Sequence, residues 1–568
     1  MSEAPGALKA DPSAKISADS SADPSADPPV DDKDETAASQ KAMGFALPAW
    51  FLGYTDSRYS PWLAFVLGLL SVRGLPPYGD VWVLIVAFAV FFRLLHGVRW
   101  WRGVWYGFLF GLGHFWFGFS WLITSLHDHG GLNMPVAQGM LLGLAGAMAV
   151  YTALFGGLFP LFTQRPWFSG LAAPSLWAAL EWLRGIVLTG FPWNPTGIAW
   201  DGWLGMIQVA DLGGVYLLSW LALFPAGVVA ALWRQGVSRR ELGVGLGGVV
   251  LIVAVAAFYG HYRLEDLARR EAENVWTKPM QMALVQGNIP QKRKWDPSFQ
   301  DETLSVYLDL SRSIPVAVDL VVWPETAVPL FLQASLEELK QIGQLSHELG
   351  ASILTGAPMA DRNEAGGWRF YNSMVLIDEE MSLGRRYDKH HLVPFGEFIP
   401  FREWVPDTFK KFTEGTEDFS RGPGSVPLSW GEGGEIGALV CYEAIFPEEV
   451  RQLALNGARW LVNVTNDAWF GELAKHQHLA MARLRAVENR LPLIRVANTG
   501  ISAAFDQMGR ELVRIPANQR DVVVVTVPRG VEESFFRRSG SSWIGVWLGL
   551  CVALLVMGRL RWLGGGRA

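Results

Sequence analysis

The sequence predicts a bundle of membrane-crossing α-helices joined to a layered α/β domain outside the cytoplasm. Three observations carry that prediction. Half of the 568 residues are apolar and 27 are Trp, which suits membrane spans with aromatic belts better than one large soluble core. Eight apolar stretches punctuate the chain, seven of them before residue 262 and one near the C-terminus. Between the seventh and the eighth lies a segment of ordinary soluble composition, in which strand and helix patterns alternate.

The chain opens on Ala, Ser, Asp and Pro. Residues 1–41 hold nine acidic side chains and four lysines, so five of the six net negative charges sit there. Such a segment buries too little apolar surface to offset its ordering entropy, which predicts a disordered acidic tail over 1–44. No basic-then-apolar signal peptide is expected at the start. The remainder is close to neutral and has no basic patch, which argues against nucleic-acid binding. The two cysteines, Cys441 and Cys551, are too far apart to suggest a disulfide framework or a zinc site.

The predicted spans lie near 60–74, 80–95, 103–126, 135–163, 168–189, 212–233, 242–260 and 542–559. They define a seven-span bundle over 45–262, and an eighth span with a short basic tail over 541–568. Loop charge gives an orientation. Arg93, Arg99 and Arg102, then Arg165, then Arg234, Arg239 and Arg240, then Arg559, Arg561 and Arg567 all fall on one face. The intervening loops 127–134 and 190–211 carry no Lys or Arg, and Arg73 is the one short-loop exception. By the positive-inside rule both termini are cytoplasmic, and the domain over 263–540 is extracytoplasmic.

Within that domain, 280–286, 318–323, 351–356, 373–377, 436–440, 460–464 and 521–527 read as strands. Residues 300–312, 336–349, 447–455 and 478–489 read as helices. Cys441 falls where a strand ends and a helix begins, a corner at which helix N–H groups can activate a thiol. A lone free cysteine more often packs as a small hydrophobe, so its neighbours must carry the case. Glu325 follows the apolar run Leu320–Trp323, and Lys389 follows Tyr387-Asp388, so both are also expected at strand ends. The trio suits nucleophilic chemistry. A thiol is mostly protonated at neutral pH, and a carboxylate can remove its proton. An ammonium can stabilise the thiolate and a developing oxyanion.

The strings Val322-Val-Trp-Pro-Glu325, Tyr387-Asp-Lys389 with Gly396-Glu397, and Val440-Cys441-Tyr-Glu443 resemble the Glu–Lys–Cys signatures of the nitrilase (carbon–nitrogen hydrolase) superfamily. With seven spans before and one after, the whole is similar to the apolipoprotein N-acyltransferase family. Further matching strings are Gln286–Gln291 with Trp295, Leu392–Pro400, Asn463–Gly471, Arg495–Gly500 and the loop Gly190–Asn194. The resemblance implies an αββα sandwich and an inner-membrane enzyme with a periplasmic catalytic domain. It implies acyl transfer from a phospholipid to the α-amine of a diacylglyceryl-cysteine on an apolipoprotein, through a thioester on Cys441. Glu325 would be base and then acid, and Lys389 would stabilise the oxyanion. Glu397 and Glu443 would orient Lys389. Tyr442, Trp295, Trp193 and Asn498 are candidate substrate contacts. The chemistry needs no cofactor or metal, and a monomer is expected. A membrane-tethered amidase passing the acyl group to water would use the same trio, whereas a catalytically dead scaffold would not need it.

Weaker signals are left over. Glu181 and Arg184, at i and i+3 inside the fifth span, mark either a functional site or a mutual ion pair. His127 and His129 flank Asp128 without a supporting ligand cluster. His476 and His478 read as loop and helix-start residues, and Glu488 and Arg490 as braces of the core. Gly243, Gly245, Gly247 and Gly248 suggest close helix packing in the seventh span.

Overall fold

The computed structural model describes residues 58–549 and 552–553, except 164–165, 235, 274–278, 365, 384, 405–417 and 530–531. The predicted tail over 1–44, Cys551 and most of the predicted eighth span lie outside the described residues. Residues 542–549, where that span would begin, are helical.

Among the described residues seven long helices form the N-terminal bundle: α1 (Ser60–Ser71), α2 (Val81–Leu94), α3 (Trp100–Gly118), α4 (Met134–Leu158), α5 (Pro166–Arg184), α6 (Ala210–Leu232) and α7 (Arg239–Ala272). They occupy the seven predicted positions. By length and composition three stretches can cross a membrane: α4 with the turn that follows it to Phe162, α6, and most of α7. α1 and α2 are apolar but shorter. α3 and α5 carry Arg102, His114, Glu181 and Arg184, which lower their hydropathy. The eight expected spans thus reduce, on these criteria, to three among the described residues.

Two boundaries differ most from expectation. α3 stops at Gly118 rather than continuing to 126, because the Asn194 side chain donates to the Gly118 carbonyl (3.2 Å) and satisfies a helix-end acceptor. α7 runs past 260 to Ala272, where Arg263 reaches Asp211 (3.2 Å) and Glu532 (2.8 Å).

α3 and α4 approach closely along a seam of small residues. A Cβ on Gly103 would lie 2.0 Å from the Gly156 carbonyl oxygen, and one on Gly107 would lie 2.1 Å from that of Thr152. α6 is broken at Gly213-Gly214, where Gly214 has φ 68° and ψ −170°. The freed N–H of Val215 donates to Glu488 Oε1 at 2.8 Å, so a carboxylate from the α/β domain caps the second half of this helix.

The α/β domain contains two six-stranded sheets. The first has the order β12-β1-β2-β3-β4-β5 and the second β11-β10-β9-β8-β7-β6. Their strands are β1 (Met280–Gln286), β2 (Leu320–Val322), β3 (Ser352–Arg362), β4 (Trp368–Ile377), β5 (Arg386–Asp388), β6 (Leu428–Ser429), β7 (Glu435–Val440), β8 (Trp460–Thr465), β9 (Leu493–Ala497), β10 (Ser502–Phe505), β11 (Glu511–Ile515) and β12 (Asp521–Val527). β1, β2 and β3 are mutually parallel, as are β7, β8 and β9. Between the sheets, Leu284, Val322 and Leu354 pack with Val440, Val462 and Ile494. α8 (Gln300–Arg312) and α9 (Leu336–Leu349) cover the outer face of the first sheet. α10 (Pro447–Leu455) and α11 (Glu472–Asn489) cover that of the second. This is the αββα sandwich that the resemblance implied.

The domain is seated on the bundle through one continuous apolar cluster, in which Tyr442, Ile445, Phe446, Met481 and Leu484 join Phe119, Trp193 and Tyr216. Arg490 then clamps the junction, donating to Asp211 Oδ2 (2.5 Å) and Gln208 Oε1 (2.7 Å). Glu488 and Arg490 are therefore braces, as expected.

The α3–α4 seam leaves no room for a side chain. Gly103→Val should lower thermal stability by about 1–3 kcal/mol, the usual cost of overpacking. A circular-dichroism melt in detergent measures this, and an unchanged melting temperature would contradict such close packing.

Candidate active site

Three strand ends deliver the trio. Trp323 and Pro324 follow β2 and lead to Glu325, Lys389 directly follows β5, and Cys441 directly follows β7. All three side chains are buried. The carboxyl ends of parallel strands β2, β7 and β8 open on the same edge, where layered α/β folds place their sites.

Cys441 sits at a sharp corner. Its φ of 54° is left-handed, an uncommon conformation for a residue with a Cβ. The corner is held through its carbonyl, which accepts from His478 Nε2 (3.0 Å) and Asn463 Nδ2 (3.2 Å). Burial pushes the thiol well above its ordinary range, the Glu325 charge adds to this, and Lys389 opposes it. The thiol is therefore neutral at rest and needs a base.

Glu325 is held by two neutral donors. Oε1 accepts from Asn372 Nδ2 (2.8 Å), and Oε2 accepts from the Asn466 N–H (2.8 Å). The same Asn372 amide nitrogen donates to Glu397 Oε1 (2.9 Å), which also accepts from Lys389 Nζ (2.9 Å). Burial alone would lower the Lys389 ammonium. Glu397 and Glu325 more than reverse this and hold it protonated. Lys389 is thus a fixed cation beside the thiol.

Glu443 ties the two sheets together. Its Oε1 accepts from Tyr387 Oη (2.8 Å) and from the N–H groups of His390 (2.8 Å) and His391 (3.0 Å). Its Oε2 accepts from the Val440 N–H at 2.7 Å. Burial and Glu443 itself keep the Tyr387 hydroxyl protonated. The loop bearing Lys389 is thereby locked to the corner bearing Cys441.

A second buried network lies beneath the thiol, and the sequence reading missed it. Thr465 Oγ1 is 3.3 Å from Cys441 Sγ and 2.8 Å from Asp467 Oδ1. A hydroxyl has one proton, and the carboxylate is the stronger acceptor, so the Thr465 oxygen presents lone pairs to the thiol. Burial would raise the Asp467 carboxyl, but Arg495 and Thr465 hold it well below the usual range. Arg495 Nη2 donates to Asp467 Oδ2 (2.8 Å) and to His478 Nδ1 (3.1 Å), and Nη1 donates to Asn463. Burial and then Arg495 lower His478, leaving a neutral ring with its proton on Nε2 toward Cys441. His478 is not at a helix start: α11 begins six residues earlier, at Glu472, and buries it completely.

The candidate substrate contacts differ in what they present. Trp295 is half-buried. Trp193 is 1% exposed and donates its indole N–H to Gln477 Oε1 (2.8 Å). Asn498 is fully buried and bonds Ile289 through both its amide atoms (2.8 Å each). Tyr442 turns toward the bundle, 3.4 Å from the Gly190 carbonyl and packed against Phe446.

Glu181 and Arg184 are not paired with each other. Glu181 Oε1 accepts from Thr196 N (2.8 Å), and Arg184 Nη1 donates to the carbonyls of Phe191 (2.6 Å) and Trp193 (2.7 Å). Both anchor the loop under the site. His127 bonds the Leu132 carbonyl (2.7 Å) and His129 packs on Trp469. Among the described residues no group of three or more His, Cys, Asp or Glu converges as metal ligands do.

Removing Arg495 would strand a buried carboxylate. Arg495→Met should therefore destabilise the fold by about 3–5 kcal/mol at neutral pH. The native carboxyl is depressed, so its stabilisation holds above the ordinary Asp value near 3.9 and is lost as pH falls toward the folded value. The variant's deficit should shrink in acid, where Asp467 can accept a proton. Denaturant titrations at two pH values check this, and a pH-independent deficit would refute it.

Comparison with known proteins accounts for both parts of the chain. Residues 281–535 match a family described as Carbon-nitrogen hydrolase. Residues 67–228 match Apolipoprotein N-acyltransferase N-terminal domain. The chain is 37% identical to the apolipoprotein N-acyltransferase of Geobacter metallireducens, over 80% of this chain and 87% of that protein. It is 36% identical to that of Azotobacter vinelandii, over 81% and 88%. It is 33% identical to that of Vibrio vulnificus, over 87% and 96%. Among solved structures, Saccharomyces cerevisiae Nit3 aligns at 18% identity over 47% of this chain and 96% of its own, with a TM-score of 0.34. Similarity of this depth, running through both the helical bundle and the sandwich, means that the chain belongs to the apolipoprotein N-acyltransferase family and is an acyltransferase.

Proposed function

We propose that the protein transfers an acyl chain from a phospholipid to the N-terminal amine of diacylglyceryl-cysteine on apolipoproteins, the last step of lipoprotein maturation. The observation that carries this reading is the meeting of Glu325, Lys389 and Cys441, each within electrostatic reach of the others, in a chain of this family.

Glu325 takes the Cys441 proton as Sγ attacks the acyl carbonyl carbon. A C–S bond forms, the ester C–O bond breaks, and the lysophospholipid oxygen leaves with the proton from Glu325. In the second half-reaction the acceptor amine attacks the thioester carbon. A C–N bond forms, the C–S bond breaks, and the amine proton passes through Glu325 to the departing sulfur. Lys389, kept cationic by Glu397, stabilises the oxyanion in both halves. Glu443 positions Lys389 and the Cys441 corner.

The chain is assigned to the bacterial cytoplasmic membrane as a monomer, with eight spans, both termini cytoplasmic and the 263–540 domain periplasmic. The seating of Tyr442 and Phe446 in the apolar cluster of the bundle supports a nucleophile at the membrane face. That placement suits lipid-anchored substrates, since pulling acyl chains into water costs about 0.8 kcal/mol per methylene.

Incubation with phospholipid should add one acyl chain to the Cys441 peptide, seen by mass spectrometry and removed by hydroxylamine. Cys441→Ala should abolish both the adduct and transfer. Glu325→Gln should slow adduct formation by about 10²–10⁴-fold, the usual contribution of a positioned base. An enzyme that acylates lipopeptide without ever carrying the adduct would exclude the thioester route.

A further inference from the structure

The site contains a second buried lysine. Lys294 ends the short helical turn Gln291–Lys294 that follows β1, and it is 1% exposed. Its Nζ donates to the backbone carbonyl of Glu325 at 2.7 Å. Among the described residues no carboxylate lies in ion-pairing range of it. A buried ammonium with one carbonyl partner is costly unless nearby charge compensates it. The charge that acts on it at rest is Glu325, from the end of β2, and Cys441, from the end of β7, joins it once the thiol is deprotonated.

Two features give this lysine a task. Lys389 already has a counter-ion, since Glu397 lies 2.9 Å from it. That leaves Glu325 bonded to neutral donors only, Asn372 and the Asn466 N–H. Second, the carbonyl that Lys294 grips belongs to a constrained turn. Thr326, the next residue, has φ 49°, and a Cβ on Gly356 would lie 2.4 Å from its nitrogen.

We propose that Lys294 is a positioning residue of the acyl-transfer site, holding the Glu325 backbone in place and setting a positive charge beside its carboxylate as that group takes the thiol proton. This rests on the reading of Glu325 as base. Burial lowers the Lys294 ammonium to about 8, with Glu325 opposing, so it still carries its charge at neutral pH. As the proton moves from sulfur to Glu325 the negative charge moves to the thiolate, and Lys294 attracts both. The charged groups facing Glu325 are then Lys294, Lys389, Cys441 and, through Asn372, Glu397.

The test is the pH dependence of Cys441 acylation in single turnovers of the full-length enzyme, using a phospholipid with a fluorescent acyl chain. Lys294→Met should move the acid limb upward by about one unit, the effect of removing a nearby opposite charge. On that limb the rate should fall about tenfold. Lys294→Arg should keep the limb at its original pH. Lys294→Gln gives a second neutral replacement if the Met variant does not accumulate. A uniform loss with an unmoved limb, or an Arg variant behaving like the Met variant, would reduce Lys294 to a structural hook and overturn the proposal. A separate measurement guards the reading beneath it. If Glu325→Gln acylates at the wild-type rate, the base assignment fails, whatever Lys294 does.

Discussion

The site depends on one buried carboxylate. Glu443 accepts four hydrogen bonds, from Tyr387, His390, His391 and Val440, and every contact is a donor. Tyr387 lies on β5 in the first sheet, and Val440 ends β7 in the second. The sheets otherwise meet through apolar packing, which sets their spacing but not the register of two loops at their edge. A carboxylate shared among backbone N–H groups of both loops supplies that register. Removing it would leave those donors buried and unpaired, at about 1–3 kcal/mol each. Lys389 and Cys441 can then be brought together by elements more than fifty residues apart.

The same corner fixes the domain to the bundle. Tyr442 and Phe446, just after the nucleophile, belong to the apolar cluster that runs through the helices. The loop before Thr196 is held from below by Glu181 and Arg184, and it supports the site through Trp193 and Gln477. Gln477 precedes His478, which holds the Cys441 carbonyl. A continuous chain of contacts thus links helix α5 to the peptide that bears the thiol. The two charges in α5 serve to anchor a loop, which explains why neither residue needs the other as a partner.

Much of this was legible in the sequence, for local reasons. Strands β1 and β12 and helices α8, α9 and α10 match the predicted bounds, because their apolar spacing is regular and their ends are marked. Glu325 and Cys441 each follow an apolar run, so their positions follow from neighbours alone, whereas Lys389 follows the polar stretch Arg385-Arg386-Tyr387-Asp388 and was marked by its motif. The short strands β5 and β6 and strands β9, β10 and β11 escaped. β9 carries the buried charge of Arg495, and β11 alternates too weakly to stand out. The supporting groups escaped for a different reason. Thr465, Arg495, Asn372 and Lys294 acquire meaning only from partners distant in sequence, as Lys294 does from a carbonyl 31 residues on. The span count fell short because α1 and α2 are short, because Arg102, His114, Glu181 and Arg184 interrupt α3 and α5, and because most of the eighth span lies outside the described residues.

The electrostatics also constrain the order of events. The thiol is held neutral by burial, and Lys389 is held protonated by Glu397 and Glu325. Asp467 is held ionised by Arg495 and cannot serve as an acid near neutral pH. On the proposed mechanism only Glu325 is free to exchange a proton with both sulfur and substrate. It must surrender the first proton to the lysophospholipid oxygen before it can receive one from the acceptor amine. A single carrier therefore forbids the two substrates from reacting together. The donor has to finish, leaving an acyl group on Cys441 and an empty Glu325, before the amine can be deprotonated. Two half-reactions at one thiol thus follow from the supply of movable protons as much as from the space around the nucleophile.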